Sequence, residues 1–439
     1  MRKIKIFSAL DYVLLACVLA LVAIGVAFIY SAAIKGGVLI NHKYQKQVIW
    51  ACIGLVFLCL FAVYDYRRSE RYIFWIFIVS LIINFLTSRF SVNTKGANSW
   101  FGIGSLGIQP AELSKVIFIF FLAWYFSSTE NEKPLKRFIV SLIILFVQVI
   151  VVLLQHDLGT ALVFFPIFIF MSYIAGIETR YWAWFLSICV LVVIFVMLPL
   201  WGDFIIKNND ISALRFLTSK KLRFIITCAL GAIMLICVVG LFLYPEQRYF
   251  YWISYGVSIL LISYIVAPVI IKVLDDYQKA RLVIFINPSV DTLDAGWNIA
   301  SANKCIGKGG LFGLGYLKGE YSHLDFTPVQ LSDFILTIIA EEWGFFGCLL
   351  VLTLLVCILL RNVYIIKNSP NKYGTYIATG IFGLFFFHIL ENIGMNISLM
   401  PITGIPLPFV SYGGSSMISF MIAIGTLMAV RYRRFNFMD

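Results

Sequence analysis

The sequence predicts an all-α, polytopic membrane bundle of about twelve spans, and three observations carry that expectation. Apolar residues make up 61% of the 439-residue chain and charged ones 13%, against about 45–50% and about 25% in soluble domains. One water-soluble core cannot hide that much apolar surface. Apolar runs close to the roughly 20 residues that a helix needs to cross a bilayer recur along the whole chain. The basic residues fall between those runs, so the formal charge of +12 reads as loop residues near anionic headgroups. A nucleic-acid surface is not expected.

In chain order, the expected spans centre on 10–33, 47–64, 72–88, 112–127, 138–155, 159–176, 181–200, 223–244, 249–272, 333–360, 373–393 and 414–431. The first follows "MRKIKIF" and is longer than the roughly 7–15 residues of a signal-peptide core. It reads as a retained span with its basic end in the cytoplasm. Twelve spans then place both termini there. "DYRRSERY", "EKPLKRF", "RNVYIIKNSPNK" and "RYRRFNFMD" fall on the inner side, as the positive-inside rule expects. "KNNDISALRFLTSKKLR", Lys207 to Arg223, is basic yet assigned outside, an exception that a surface-lying amphipathic segment accounts for. The polar, Gly-rich stretches Phe90–Gln109, Asp275–Ser332 and Asn396–Ser416 all fall on the outer side, where long loops carry function. The chain reads as one integral membrane domain over 1–439, with 273–332 as its large outer loop.

Metal chemistry has no sequence support. Eight of the nine Cys lie inside apolar runs, only Cys305 falls in a polar segment, and no CxxC spacing occurs. The four His (His42, His156, His323, His388) form no HExxH pattern. No metal site is expected from spacing.

Several polar motifs admit both a structural and a functional reading. In "KGANSWFGIGSLGIQPAELSK" Pro110 suits the first turn of a helix, and Glu112 favours its dipole. Gln109, Glu112 and Lys115 also share one broad helix face, and a Glu–Lys pair entering a span wants water or a ligand. In "LQHDLGTAL" Asp157 precedes a span as an N-cap would, and His156 beside it reads as a loop residue. "QLSDFILTIIAEEWGFFG" opens with cap-like Ser332 and Asp333, then carries Glu341 and Glu342 about two turns into the membrane. Acids at that depth call for a polar cavity or pairing. "IGKGGLFGLGYLKGEY" lacks the GK[ST] ending of a phosphate loop, and its glycines read as tight turns and close backbone approach. "MPITGIPLPFVSYGGSS" is a rigid non-helical link, which at membrane depth must be buried or line a cavity. In "INPSVDTLDAGWN" either Asp291 or Asp294 could shape a turn, and spacing alone does not separate them.

Taken together and in this order, "GANSW…QPAELSK", "QHDLGTAL", "YQKARLVIFINPSVDTLDAGWN", "SDFILTIIAEEWGFFG" and "MNISLMPITGIPLPFVSYGGSS" resemble the SEDS family (shape, elongation, division and sporulation). The last motif and the short tail resemble its RodA-type, cell-elongation branch more than its division branch. The resemblance implies a bacterial peptidoglycan glycosyltransferase acting on lipid II and the lipid-linked growing glycan at the outer face of the plasma membrane. It also implies a class B penicillin-binding protein and other elongation-complex membrane proteins as partners. Asp291 occupies the position of the family's catalytic Asp. Glu112 and Lys115 match the polar pair after Gln-Pro, and Asp157 matches the Asp before Leu-Gly-Thr. Trp100, Gln109, Lys304 and Asp333 join them as substrate-binding candidates.

Thr292, Asp294 and Trp297 depart from the usual Pro, Gly and Tyr, and Ser99, His156 and Val329 from Arg, Pro and Glu. The family usually has ten spans, so the pair near 223–272 reads as an insertion that keeps the catalytic loop outside. Pyrophosphate leaves from an α-linked sugar without help from an acid, so one inverting displacement needs one base for the acceptor hydroxyl. General-base catalysis of that kind is typically worth about 10²–10⁴ in rate. Asp291 is the expected base, with Lys115, Lys304 or Lys308 and a possible divalent cation facing the departing charge. The alternatives are a lipid II flippase, with Glu341, Glu342 and Glu391 along its path, and a noncatalytic scaffold of the elongation machinery.

Overall fold

The computed structural model describes residues 10–35, 38–39, 42–94, 97–100, 107–202, 217, 219–244, 246–286, 295–320 and 331–435. Each of the twelve apolar runs is a helix: α1 (Tyr12–Ser31), α2 (Lys43–Val63), α3 (Ile73–Phe90), α4 (Pro110–Ser128), α5 (Pro134–Leu153), α6 (Leu158–Ile174), α7 (Thr179–Trp201), α8 (Lys220–Leu243), α9 (Arg248–Val273), α12 (Ile335–Lys367), α13 (Lys372–Asn396) and α14 (Gly414–Phe435). Two shorter helices, α10 (Asp276–Ile286) and α11 (Ala295–Gly309), lie between α9 and α12. Eleven of the helices are long and apolar enough to cross a membrane, and α6 is an apolar helix of 17 residues. The protein is therefore a multi-pass membrane protein. Two antiparallel hairpins, β1–β2 (Ile34–Lys35 with Val38–Leu39) and β3–β4 (Val92–Thr94 with Ala97–Trp100), join α1 to α2 and α3 towards α4.

The chain divides into two compact units, Met1–Ile177 with Trp297–Asp439, and Glu178–Gly296. In the second unit α9 packs against both α7 and α8, and α10 lies against α7. In the first, α14 packs on α2 and α4, α13 on α4, α6 and α12, and α1 on α12. α14 and α13 are its most buried spans, with 89% and 72% of their apolar windows inside.

Local chemistry sets the helix ends. Asp11 caps α1 by accepting from the Val13 and Leu14 N–H groups, and Asn371 caps α13 through the Gly374 N–H. Pro110 opens α4 with Glu112 in its first turn. α12 is broken at Gly344, whose φ of 65° and ψ of −159° only glycine adopts without strain. The turn after α11 repairs the break. Leu314 and Gly315 N–H donate to the Glu341 and Glu342 carbonyls, and Phe345 and Phe346 N–H donate to the Gly310 and Leu311 carbonyls. A Cβ on Gly313 would sit 2.1 Å from the Glu342 oxygen, so the glycines of that segment serve close backbone approach.

The first unit has two distinct polar ends. At one end Asp11 pairs with Arg361 and Arg431, Asp65 with Arg67 and Arg433, and Tyr66 with Asn371. At the other, the starts of α4, α6 and α14 meet the non-helical link 397–413 that joins α13 to α14.

Candidate functional site

A pocket of about 520 Å³ opens at this second end, where Glu112 and Lys115 of α4, Asp157 at the start of α6 and His388 of α13 face a non-helical backbone. Pro110 starts α4 such that Gln109 remains extended just before it. The Gln109 backbone N–H donates to Ser415 Oγ at 2.8 Å, and its side chain donates to Asp157 Oδ2 at 2.6 Å. Asp157 caps α6 as well, accepting from the Thr160 N–H at 3.0 Å and the Thr160 hydroxyl at 2.8 Å. The capping and the pocket-lining readings of Asp157 thus hold together.

One turn into α4, Lys115 is fully buried and Glu112 is 4% exposed. The Lys115 ammonium donates to Glu112 Oε1 at 2.8 Å and lies 3.1 Å from His388 Nε2. His388 Nδ1 lies 3.1 Å from the Pro406 carbonyl oxygen, which can only accept. Nδ1 therefore carries the proton, and the neutral Nε2 accepts from Lys115. Glu112 Oε2 is buried without a hydrogen-bond partner among the described residues. A low-dielectric wall around one ammonium, held by a carboxylate and an imidazole, suits binding of an anion or a polar sugar.

The link 397–413 is held by side chains rather than by helix bonds. Gln47 donates to the Ser411 carbonyl and accepts from the Gly413 N–H, and Asn392 donates to the Ile405 carbonyl. Asn392 and Asn396 also donate to the Asp333 carbonyl, which fixes the start of α12 beside the link. Much of the link is buried in protein and part of it lines the cavity, the condition that non-helical backbone needs if it is to persist inside a bilayer. At the mouth, Lys43 stands over the Tyr412 ring at 5.9 Å, and Trp100 is 38% exposed. Burial pushes the Tyr412 phenol above its ordinary value.

The pocket brings Trp100, Gln109, Glu112, Lys115, Asp157 and Asp333 together. Lys304 is not among its lining residues; it lies exposed on α11, over the Trp297 ring at 5.5 Å. Asp291, with Asp294, lies outside the described residues. Lys43, Thr160, His388 and Tyr412 also line the pocket and went unremarked in the sequence as site residues. For His388 the signal was there: an ionisable side chain in the middle of an apolar span is a functional candidate. Among the described residues no group of three or more His, Cys, Asp or Glu could hold a metal ion.

Glu341 and Glu342, read from sequence as acids that call for a polar cavity or pairing, are fully buried and are not among the residues lining this pocket. Glu341 Oε1 accepts from the Glu320 N–H at 2.8 Å, and Glu342 accepts from the Leu317 N–H at 3.1 Å and from the Ser31 hydroxyl. They fasten the turn after α11 to the broken helix. Glu391 accepts from Thr403 at 2.8 Å.

Comparison with known proteins agrees with this architecture. The family model described as a cell cycle protein, FtsW/RodA/SpoVE, matches residues 11–219 and 213–435. A protein of Treponema pallidum (strain Nichols), "Peptidoglycan glycosyltransferase RodA", is 40% identical over 433 residues, covering 98% of this chain and 100% of the relative. "Peptidoglycan glycosyltransferase MrdB" of Escherichia coli (strain K12) is 25% identical, covering 97% and 94%. The fold matches a solved structure described as "Structural coordination of polymerization and crosslinking by a peptidoglycan synthase complex", with a TM-score of 0.66, 23% identity and 97% and 98% of the two chains covered. It also matches the Thermus thermophilus Rod shape determining protein RodA, with a TM-score of 0.57, 21% identity and 96% of each chain covered. With its family match running from the first span to the last, this chain belongs to the FtsW/RodA/SpoVE family, the SEDS family that its motifs resemble.

Proposed function

We infer that this chain is a peptidoglycan glycosyltransferase of the cell-elongation type. The observation that carries this reading is the 40% identity, over 98% of the chain and the whole of the relative, to a protein named for that activity. The proposed substrates are lipid II and the lipid-linked growing glycan, joined by β-1,4 bonds with inversion at the sugar carbon that carries pyrophosphate. In the proposed step the Asp291 carboxylate takes the proton from the acceptor hydroxyl as that oxygen attacks. The pyrophosphate leaves as an anion and needs positive charge rather than a proton.

The buried Lys115, with Glu112 and His388 holding its other donors, is the proposed cation of the substrate pocket. Asp157, Gln109 and Trp100 are proposed to contact the sugar or its peptide, and Asp333 to line the same site. Lys304, on the helix that follows Asp291 in sequence, is proposed to meet substrate phosphate nearer the membrane surface. A divalent cation, where one serves the reaction, is proposed to arrive on the substrate's phosphates. The proposed orientation keeps both termini in the cytoplasm and the pocket on the outer face. A class B penicillin-binding protein is the proposed partner, supplying crosslinking.

The test of the base is Asp291→Asn in the purified full chain with its partner. Loss of lipid II polymer with an unchanged unfolding midpoint is expected, and full polymer yield would remove Asp291 from the mechanism. Backbone bonding of Glu341 and Glu342 disfavours the flippase reading, which gave both a place along a transport path.

A further inference from the structure

The end of the first unit opposite the substrate pocket carries a second recess, of about 640 Å³, lined by Arg67, Arg68, Glu70, Arg71, Tyr72 and Trp124. We propose that it binds the headgroup of an anionic phospholipid whose acyl chain lies along α3.

The recess is built by the connection between two spans. After α2 the chain makes a 3₁₀ turn, Tyr66–Arg71, and enters α3 at Ile73. Tyr66 is buried at 1% exposure and bonded to Asn371, and Ser69 is bonded to Tyr373. That anchors one face of the turn and leaves the others outward. Arg67 is committed to Asp65 by two hydrogen bonds, at 3.1 and 3.0 Å. Arg68 and Arg71 are exposed and pair with no carboxylate among the described residues; Arg71 stands over the Tyr72 ring at 6.0 Å. Glu70 is the one acid of the lining against three guanidinium groups, so the recess is net cationic.

Two further features favour a lipid over a free anion. A connection between two membrane-crossing helices lies at headgroup depth, and Tyr72 and Trp124 are the side-chain types that settle there. Trp124 is fixed by stacking on Phe121 at 5.5 Å, and Phe121 stacks on Phe77 at 4.1 Å. An exposed apolar stripe also starts at Tyr72 and runs down α3: Trp75, Val79, Ile82 and Leu86, at 67, 52, 52 and 41% exposure. Those positions share one helix face, which offers the acyl chain a continuous track from the recess. Guanidinium forks suit phosphate oxygens.

The test places the full chain in phosphatidylcholine vesicles and measures association of spin-labelled phosphatidylglycerol relative to spin-labelled phosphatidylcholine. Wild type is expected to prefer the anionic lipid, and Arg68→Gln/Arg71→Gln to lower that preference by about an order of magnitude, as two lost surface charges imply. Lys136→Gln/Lys372→Gln removes the same formal charge from exposed positions outside the recess, where Glu132 and Glu130 already pair with the two lysines. It is expected to leave the preference within about twofold, because those lysines present no unpaired charge to a headgroup. Equal association of the two lipids with wild type, or equal effects of the two double variants, would overturn the proposal. Displacement of the labelled lipid by inorganic phosphate at matching concentration would also overturn it, by assigning the recess to a free anion.

Discussion

Replacing Lys115 by Met should separate what the buried ion pair does for the fold from what it does for the reaction. The pair has side-chain exposures of 0% and 5%, and the ammonium and carboxylate are 2.8 Å apart. Removing one partner of such a pair strands the other charge in a low dielectric, which typically costs about 3–5 kcal/mol. Glu112 Oε2 already lacks a partner among the described residues, so it has nothing to fall back on, and the upper half of that range is expected. Replacing both partners by apolar residues of similar size is often close to neutral. Lys115→Met/Glu112→Leu should therefore recover to within about 1 kcal/mol of wild type. The readouts are reversible unfolding by SDS in mixed micelles and polymerisation of labelled lipid II by the same preparations. Both variants should lose polymerisation while only the single one loses stability. Equal stability of the two variants would refute the coupling, and polymerisation restored in the double variant would refute Lys115 as the cation of the pocket.

Three further outcomes are expected. His388→Leu leaves Lys115 and the Pro406 carbonyl each short of a partner and should lower turnover, whereas His388→Gln, which keeps an acceptor near Nε2, should retain most of it; equal turnover in steady-state assays would argue against a positioning role. Gly344→Ala would put a Cβ 2.4 Å from the Gly313 nitrogen at a φ of 65°, and should cost about 3 kcal/mol or more by SDS unfolding. Burial pushes the Asp65 carboxyl up, but the Arg67 hydrogen bond and the Arg433 charge outweigh it and hold the group below its ordinary value of 3.8. A depressed folded-state value stabilises the fold above the ordinary value, and that stability is lost as pH falls below it. Unfolding midpoints measured across that window should show the acid loss in wild type and a smaller one in Arg67→Gln.

The spans were legible because a bilayer imposes length and apolarity directly on sequence, and each of the twelve runs is a helix. The break at Gly344 was not, because the apolar run 333–360 continues across it and hydropathy carries no information about φ. For the same reason the destination of Glu341 and Glu342 was hidden. Their partners include the backbone N–H groups of Leu317 and Glu320 and the hydroxyl of Ser31, 311 positions from Glu342, which no local side-chain pattern announces. Glu112 and Lys115 were readable as neighbours because three residues make a helix turn. His388 is 273 positions from Lys115, and a single sequence offers no rule for such a pairing. The link 397–413 was readable as rigid from its prolines, but not the side chains that hold it: Gln47, Asn392 and Asn396 come from two helices far apart in the chain.

The most direct test of the central claim is polymerisation of purified, fluorescently labelled lipid II in detergent by the full chain together with the class B penicillin-binding protein proposed as its partner. A ladder of glycan strands that a muramidase digests is expected with wild type and is expected to be absent with Asp291→Asn at matched amounts of folded protein. Lipid II left unpolymerised by the wild-type pair, or a ladder undiminished by Asp291→Asn, would contradict that claim.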